Sequence, residues 1–407
     1  MINYAMLHFW ELPPDTYVKI NVEVVREFIL KVLEIFDKRV NKGRRDKALV
    51  DWLFERSENH KVWKKKYDRR QIHYWRNGNF IPLWVIIELS KLLNNKNILK
   101  KIERHVIAFK SRSGRTIHSF KNRQQFPLRI TPEFVSLYFH LIGDGYVGGK
   151  KSTASYFQKN HGAREQFLQK LKNCFGDFTI SSKSYENCVV EFPFIIARII
   201  KKYLRNNGFY SADSKLPKII YNLDRLSKVA GLAAIIVDEG NIDDTIMIGM
   251  YNYDLIVQLR ELIISLGYKC GKVSERKTVW NFSISNKSLN LFKNDLNNLS
   301  KSFPTCDLSF KRINFDILYE IHQRGTDNTV YNWDIIEKQI CDLLQNKELT
   351  CPEIRVLLKL EFNTAISHIA LLRFLRKMRR NEKIKHNLNG NTLEWYKDSA
   401  IFLAHQT

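Results

Sequence analysis

The sequence lacks the features that would place it in several large classes. No apolar run approaches the ~20 residues needed to cross a bilayer, so no membrane partner is expected. The opening MINYAMLHFWELPPD has no basic segment ahead of an apolar one and no small-residue cleavage pattern, so no secretory signal is expected. The six cysteines (Cys174, Cys188, Cys270, Cys306, Cys341, Cys351) form no C-x-x-C pair and no Cys/His zinc spacing. A zinc finger is thereby excluded, and the thiols read as buried groups of a reducing cytoplasm. Acidic residues are also in short supply: 42 Asp and Glu face 66 Lys and Arg, for a net charge of +24. A surface that positive repels itself unless it meets a polyanion, and nucleic acid is the commonest one. The expected location is the cytoplasm, in association with the nucleoid.

What is present suffices for packed cores. The chain has 407 residues, 44% apolar and 12% aromatic, which suggests two or three domains. The positive charge is uneven, with 23 Lys and Arg against 7 Asp and Glu between Asn41 and Arg129. VREFILKVLEIF, KALVDWLFE, DRRQIHYWRNG and PLWVIIELSKLL each carry apolar positions three and four apart and predict helices. Gly78 is placed to end the third of these as a C′ glycine, and Pro82 to open the fourth. The segment Trp75-x-x-Gly78-x-x-x-Pro82 resembles the helix-turn-helix of phage-repressor-like domains. That resemblance implies an all-α module over 1–109, with Arg69, Arg70, Gln71, Tyr74 and Arg76 on a recognition helix. Arginine and glutamine there can reach base edges or phosphates. The run Lys64, Lys65, Lys66 is placed to meet the DNA backbone. Residues 110–129 are polar and basic without periodicity and read as a linker.

Residues 130–322 carry an internal repeat, 130–222 and 223–322. TPEFVSLYFHLIGDGYV and LSKVAGLAAIIVDEGNI are each an apolar helix ending in an acidic residue and glycine, about 95 residues apart. Each is followed by strand-like and helical pieces: TASYFQKN, GAREQFLQKLKNCFG and NCVVEFP, then TIMIGMYN, YDLIVQLRELIISLGYKC and TVWNFSIS. The fold class is therefore α+β. Over 330–400, three helical stretches and a hairpin turning near Asn389 and Gly390 resemble a winged helix. Asn363/Thr364 is the expected N-cap of its third helix. That helix ends in the basic cluster Arg373, Arg376, Lys377, Arg379 and Arg380, a second candidate DNA contact.

LYFHLIGDG and LAAIIVDEG resemble the two helices of the LAGLIDADG homing endonucleases. The resemblance covers a little under half the chain. It implies a central pseudo-twofold domain in which the two helices pack side by side, each ending in a carboxylate above the DNA backbone, with one saddle-shaped sheet per repeat. It carries over to Asp144 and Glu239 as the catalytic pair. The implied metal set is Asp144, Glu239, Gly143 and Asp238, holding Mg²⁺ (or Mn²⁺), a hard ion that takes a few carboxylates plus water and phosphate oxygens. Carboxylates at helix C-termini oppose the helix dipole by typically about 0.3–1 kcal/mol, so two at matching positions suggest a use. Asp238 and Glu239 lie about 100° apart on a helix. Glu239 is expected to face the interface, and Asp238 to be exposed or structural. Gly143, Ala230, Gly231, Ala233 and Ala234 keep the expected helix contact small, whereas Tyr138 and Phe139 are bulkier than the family pattern and predict a wider pair. His140 reads as a packed hydrogen-bonding residue rather than a base. Lys215 is the leading candidate to polarise the scissile phosphate, with Lys218, Lys272 and Lys277 behind it. The expected function is a metal-dependent, site-specific endonuclease acting on double-stranded DNA as a monomer with internal pseudo-twofold symmetry. A non-catalytic DNA-binding regulator and an RNA-binding intron maturase are the alternatives, since RNA offers the same phosphates.

Overall fold

The computed structural model describes residues 5–38, 44–57, 68–94, 96–112, 114–119, 126–147, 153–204, 209, 214–323, 331–345, 347–389 and 392–397. Helices alternate with small antiparallel sheets in two compact units, Met1–Asp238 with Leu299–Cys306, and Glu239–Asn298 with Asp307–Thr407.

The first unit opens with β1 (Met6–Leu7), β2 (Thr16–Ile20), α1 (Val22–Asp37), α2 (Arg45–Ser57), α3 (Arg69–Arg76), β3 (Ile81–Pro82), α4 (Leu83–Leu92), α5 (Lys96–Glu103), β4 (Val106–Ser111), β5 (Ile117–His118) and β6 (Leu128–Arg129). α1 begins where the Asn21 side chain accepts from the Glu23 amide, and it buries Val25, Phe28, Ile29, Val32, Leu33 and Phe36 along one stripe. α3 ends in a Schellman pair: the Gly78 amide donates to the Trp75 carbonyl and the Asn79 amide to that of Tyr74, with Gly78 at φ +78°. A side chain on Gly78 would also crowd Val22.

The region is not all-α as the sequence suggested. β2, β3, β4 and β5 form a four-stranded sheet in the order β3-β2-β4-β5. Thr16, Val18 and Ile20 alternate inward along β2, a two-residue period that the surrounding helical runs obscured. The expected linker over 110–129 likewise contains the end of β4 and both β5 and β6. β6 pairs with β1, and His118 and Asp177 exchange two backbone hydrogen bonds at 2.8 and 3.1 Å. Arg115 donates to Glu191, and Arg198 pairs with Asp15. The basic module and the first repeat therefore share one framework.

That repeat runs α6 (Pro132–Gly143), β7 (Gly145–Tyr146), β8 (Thr153–Phe157), α7 (His161–Phe175), α8 (Ser182–Glu186), β9 (Val189–Pro193), α9 (Phe194–Leu204) and α10 (Lys218–Tyr221), with sheet order β7-β8-β9. α11 (Arg225–Glu239) starts the second. It continues through β10 (Gly240–Ile242), β11 (Ile246–Met250), α12 (Tyr253–Ser265), β12 (Ser274–Arg276), β13 (Val279–Ile284) and α13 (Leu289–Ser302), with sheet order β10-β11-β13-β12. In both repeats the strand after the motif helix pairs antiparallel with the next, which pairs antiparallel with a strand beyond an intervening helix; in the second repeat β12 adds at the edge of that strand.

The second unit continues through α14 (Arg312–Gln323), α15 (Trp333–Leu343), β14 (Leu349–Thr350), α16 (Cys351–Phe362), α17 (His368–Arg380), β15 (Lys385–Asn389) and β16 (Thr392–Tyr396). The last three strands pair in the order β14-β16-β15 around a core that includes Ile340, Ile354, Leu358, Leu371, Leu375 and Trp395. Gly390 lies outside the described residues. The N-cap of α17 is Ser367, whose hydroxyl accepts from the Ala370 amide; Asn363 instead ends α16 in a left-handed conformation at φ 51°. Asparagine tolerates that conformation, and this explains why a residue that resembles an N-cap serves here as a C-cap.

This C-terminal module is seated on the turn between β10 and β11. The guanidinium of Arg355, 1% exposed, donates to the carbonyls of Ile366 (3.0 Å), Ile242 (3.5 Å) and Asp243 (3.0 Å). Asp244 accepts from the amides of His368 (2.9 Å) and Ile369 (3.3 Å), filling the anion seat at the start of α17.

Candidate nucleic-acid interface and acidic helix ends

The two motif helices touch at two points within the first unit. The ring of Phe139 on α6 lies over Gly231 on α11; a Cβ there would come within 2.4 Å of it. Near the helix ends, a Cβ on Gly143 would come within 2.9 Å of Asp238 Cβ. The bulk of Phe139 is accommodated by the absence of a side chain at Gly231. Gly145 is equally constrained, because a Cβ would sit 2.5 Å from the backbone of Leu141.

Asp144 is the C-cap of α6, half-buried, with its amide donating to the His140 carbonyl. Its carbonyl accepts from the Phe157 amide of β8 at 3.0 Å, so the strand that follows holds the helix end in place. Glu239 is the last residue of α11 and also half-buried. Immediately after it, the carbonyl of Gly240 accepts from Lys311 at 2.5 Å. Lys311 was not foreseen; nothing in its sequence neighbourhood marks it as adjacent to the second motif.

Asp238 takes the structural one of its two expected roles. Its side chain is 0% exposed and is turned toward α6. Oδ1 accepts from the Tyr156 hydroxyl at 2.6 Å and Oδ2 lies 2.8 Å from His140 Nδ1. The Lys170 amine is 2.8 Å from His140 Nε2. The tautomer that satisfies this chain carries its proton on Nδ1, donates to Asp238 and accepts from Lys170. Burial, with the Lys170 charge beside it, holds the His140 imidazole well below its ordinary value. Burial also lowers Lys170, and it raises the Tyr156 hydroxyl, helped by Asp238 and Asp144. Asp238 is therefore a structural acceptor within the helix pair, and both its oxygens are engaged by protein. It is withdrawn from the metal set, and His140 is a packed histidine. Lys170 occupies the apolar stripe of α7 formed by Ala163, Phe167 and Cys174. A lysine on that stripe was a sequence signal that a buried anion would be found opposite.

Among the described residues, no group of three or more His, Cys, Asp or Glu side chains is gathered as a metal cage. Asp144 and Glu239 each end a motif helix with a carboxylate, and carboxylates are the oxygen donors that Mg²⁺ or Mn²⁺ takes together with water and phosphate. Lys215 and Lys218 are exposed, and the Lys215 carbonyl faces the Tyr138 hydroxyl at 3.5 Å. Lys272 and Lys277 are exposed in the second unit.

Of the α3 residues, Arg69, Arg70 and Tyr74 are exposed, and Gln71 and Arg76 are half-buried. Arg70 is paired with Asp68 at 2.7 Å. Lys64, Lys65 and Lys66 lie outside the described residues. On α17 the buried Leu371, Phe374, Leu375 and Met378 define the inner face. Arg373, Arg376, Lys377, Arg379 and Arg380 are all exposed, with 373, 376 and 380 on one stripe.

No family model and no curated protein matches the chain. Among solved structures, a mesophilic variant of the homing endonuclease I-DmoI aligns at 17% identity and a TM-score of 0.30, covering 42% of this chain and 97% of that one. The homing endonuclease I-WcaI bound to its DNA recognition sequence aligns at 15% identity and a TM-score of 0.30, covering 41% of this chain and 81% of that one. No helix among the described residues is long and apolar enough to cross a membrane.

Proposed function

We propose that this chain is a metal-dependent, site-specific DNA endonuclease of the LAGLIDADG type. The observation that carries the reading is the duplication: two motif helices, each ending in an acidic residue followed by glycine, each leading into a strand with the same antiparallel pairing order. In this reading Asp144 and Glu239 hold Mg²⁺ or Mn²⁺. The ion, when bound, neutralises the scissile phosphate and lowers the pKa of an attacking water. Gly145 keeps the first carboxylate at an abrupt helix end, and Asp238, through His140 and Tyr156, fixes the packing of the pair. Lys215 is the cation assigned beside the first motif, and Lys311, which donates to the Gly240 carbonyl, the cation assigned beside the second.

The flanking elements supply affinity and length of site. α3 is assigned as a helix-turn-helix reader, with Arg69, Arg70, Gln71, Tyr74 and Arg76 as its contacts. The C-terminal module is assigned as a winged helix whose exposed stripe on α17 meets phosphates. Tethering such modules to the central domain multiplies effective concentration at a long site. The partner is double-stranded DNA, bound by a monomer whose two repeats replace a dimer. Incubating the full chain with a randomised plasmid library and Mg²⁺, then sequencing the ends, tests the reading. A single enriched break site is expected. An intact library with both Mg²⁺ and Mn²⁺ would contradict it.

A further inference from the structure

A cleft of about 460 Å³ opens in the first unit between α3 and the outward face of the β3-β2-β4-β5 sheet. Its walls include Tyr17, Gln71, Tyr74, Phe80, Lys110 and Arg112. Tyr17 on β2 stands directly across from Lys110 on β4 in the strand register, so both belong to the same face of the sheet. Neighbouring Thr16 and Val18 are buried on the opposite face. Lys110 Nζ lies 4.6 Å from the centre of the Phe80 ring. Tyr74 is 47% exposed, so its ring is open to a ligand. Among the described residues, no carboxylate lines the cleft.

These features select a ligand. Three aromatic faces offer stacking to a flat, polarisable group. Two cations in the lining, Lys110 and Arg112, favour a polyanion next to it. The Gln71 amide both donates and accepts, as the edge of a base requires. The volume falls within the about 300–1,000 Å³ of ligand clefts and exceeds what water alone would need. A nucleotide within a strand combines all three chemistries, and it can enter only with its base out of the helical stack. We propose that this cleft binds an unstacked nucleobase of a single-stranded or locally opened DNA segment. Tyr74 and Phe80 stack on the base, and Lys110 and Arg112 hold the adjoining phosphates. The inference rests on the nucleic-acid reading of the basic module but not on cleavage.

Fluorescence anisotropy of the full-length chain in EDTA, with fluorescein-labelled (dT)12, tests it without metal chemistry. Base–aromatic stacking predicts that Tyr74→Ala weakens binding by about 5- to 150-fold, with Tyr74→Phe staying within about twofold of wild type. Replacing each base in turn with an abasic residue should reveal a position whose loss weakens wild type by a similar factor. That loss should disappear in Tyr74→Ala, because the base and the ring then form one interaction. Tyr74 is exposed, so its replacement leaves the core intact. If every abasic oligomer binds as tightly as (dT)12, the contact is to phosphate alone and the proposal is overturned. Tyr74→Ala binding at wild-type strength overturns it equally. Failure of wild type to bind both (dT)12 and duplex DNA would instead remove the nucleic-acid reading on which the proposal rests.

Discussion

Replacing Asp238 with asparagine conserves shape and removes one charge. In the native helix pair its two oxygens accept from the Tyr156 hydroxyl at 2.6 Å and from His140 Nδ1 at 2.8 Å, and the Lys170 amine lies behind His140 at 2.8 Å. An amide offers one carbonyl to those two donors, so one donor is left facing an NH₂ group. A buried donor left unsatisfied costs about 1–3 kcal/mol. Breaking a buried charge pair from one side costs about 3–5 kcal/mol, because the other charge stays behind. The two contributions overlap, so the expected loss is about 3–5 kcal/mol. Hydrogen exchange of the α6 and α11 amides reports the opening free energy of this pair directly, without requiring the full chain to unfold in one step. Adding Lys170→Met to Asp238→Asn should recover part of the loss, giving a coupling of about 1–3 kcal/mol. A loss below about 1 kcal/mol, or strictly additive effects, would refute the argument that these groups form one compensated network.

Gly231→Ala forces a Cβ into the Phe139 ring, and overpacking of this kind should cost about 1–3 kcal/mol, read by thermal melting; adding Phe139→Leu should relieve it. Because burial depresses the His140 value below its ordinary 6.5, the unfolded chain binds more protons just below pH 6.5. The stability of the helix pair should therefore fall as pH drops through that value, by at most about 1.4 kcal/mol per unit, and urea titrations between pH 5 and pH 8, chosen to be roughly centred on that value, would show no slope if His140 were not neutral in the fold. Replacing Arg373, Arg376 and Arg380 with alanine should weaken binding on all duplexes alike and reduce the log–log salt slope by about 0.9 for each phosphate no longer neutralised. An unchanged slope would assign the α17 stripe to another partner.

Much of this organisation is legible in the sequence, for reasons that can be named. α1 to α4 show as three-and-four spacing of Val, Ile, Leu and Phe, and the end of α3 shows as a glycine, the residue best suited to φ +78°. The duplicated motif shows because both halves must end a helix at the same topological point. β2 and β4 were obscured because five- and six-residue strands embedded among helices offer too few periods to stand out. The placement of Asp238 was not legible from its own neighbours. Its partners, His140, Tyr156 and Lys170, are 98, 82 and 68 positions away, and only folding brings them together. The N-cap of α17 was misplaced by a few residues because asparagine suits both ends of a helix, and the start was fixed by Ser367 and by Asp244, more than a hundred residues earlier.

The proposed function requires that the carboxylates of Asp144 and Glu239 do chemistry and do not merely end helices. The most direct measurement compares cleavage and binding for wild type, Asp144→Asn and Glu239→Gln on the enriched site, with Mg²⁺ for cleavage and in EDTA for affinity. Each substitution is expected to abolish cleavage while affinity stays within a few-fold of wild type or rises, because an anion near phosphate has been removed. Full cleavage by either variant would contradict it.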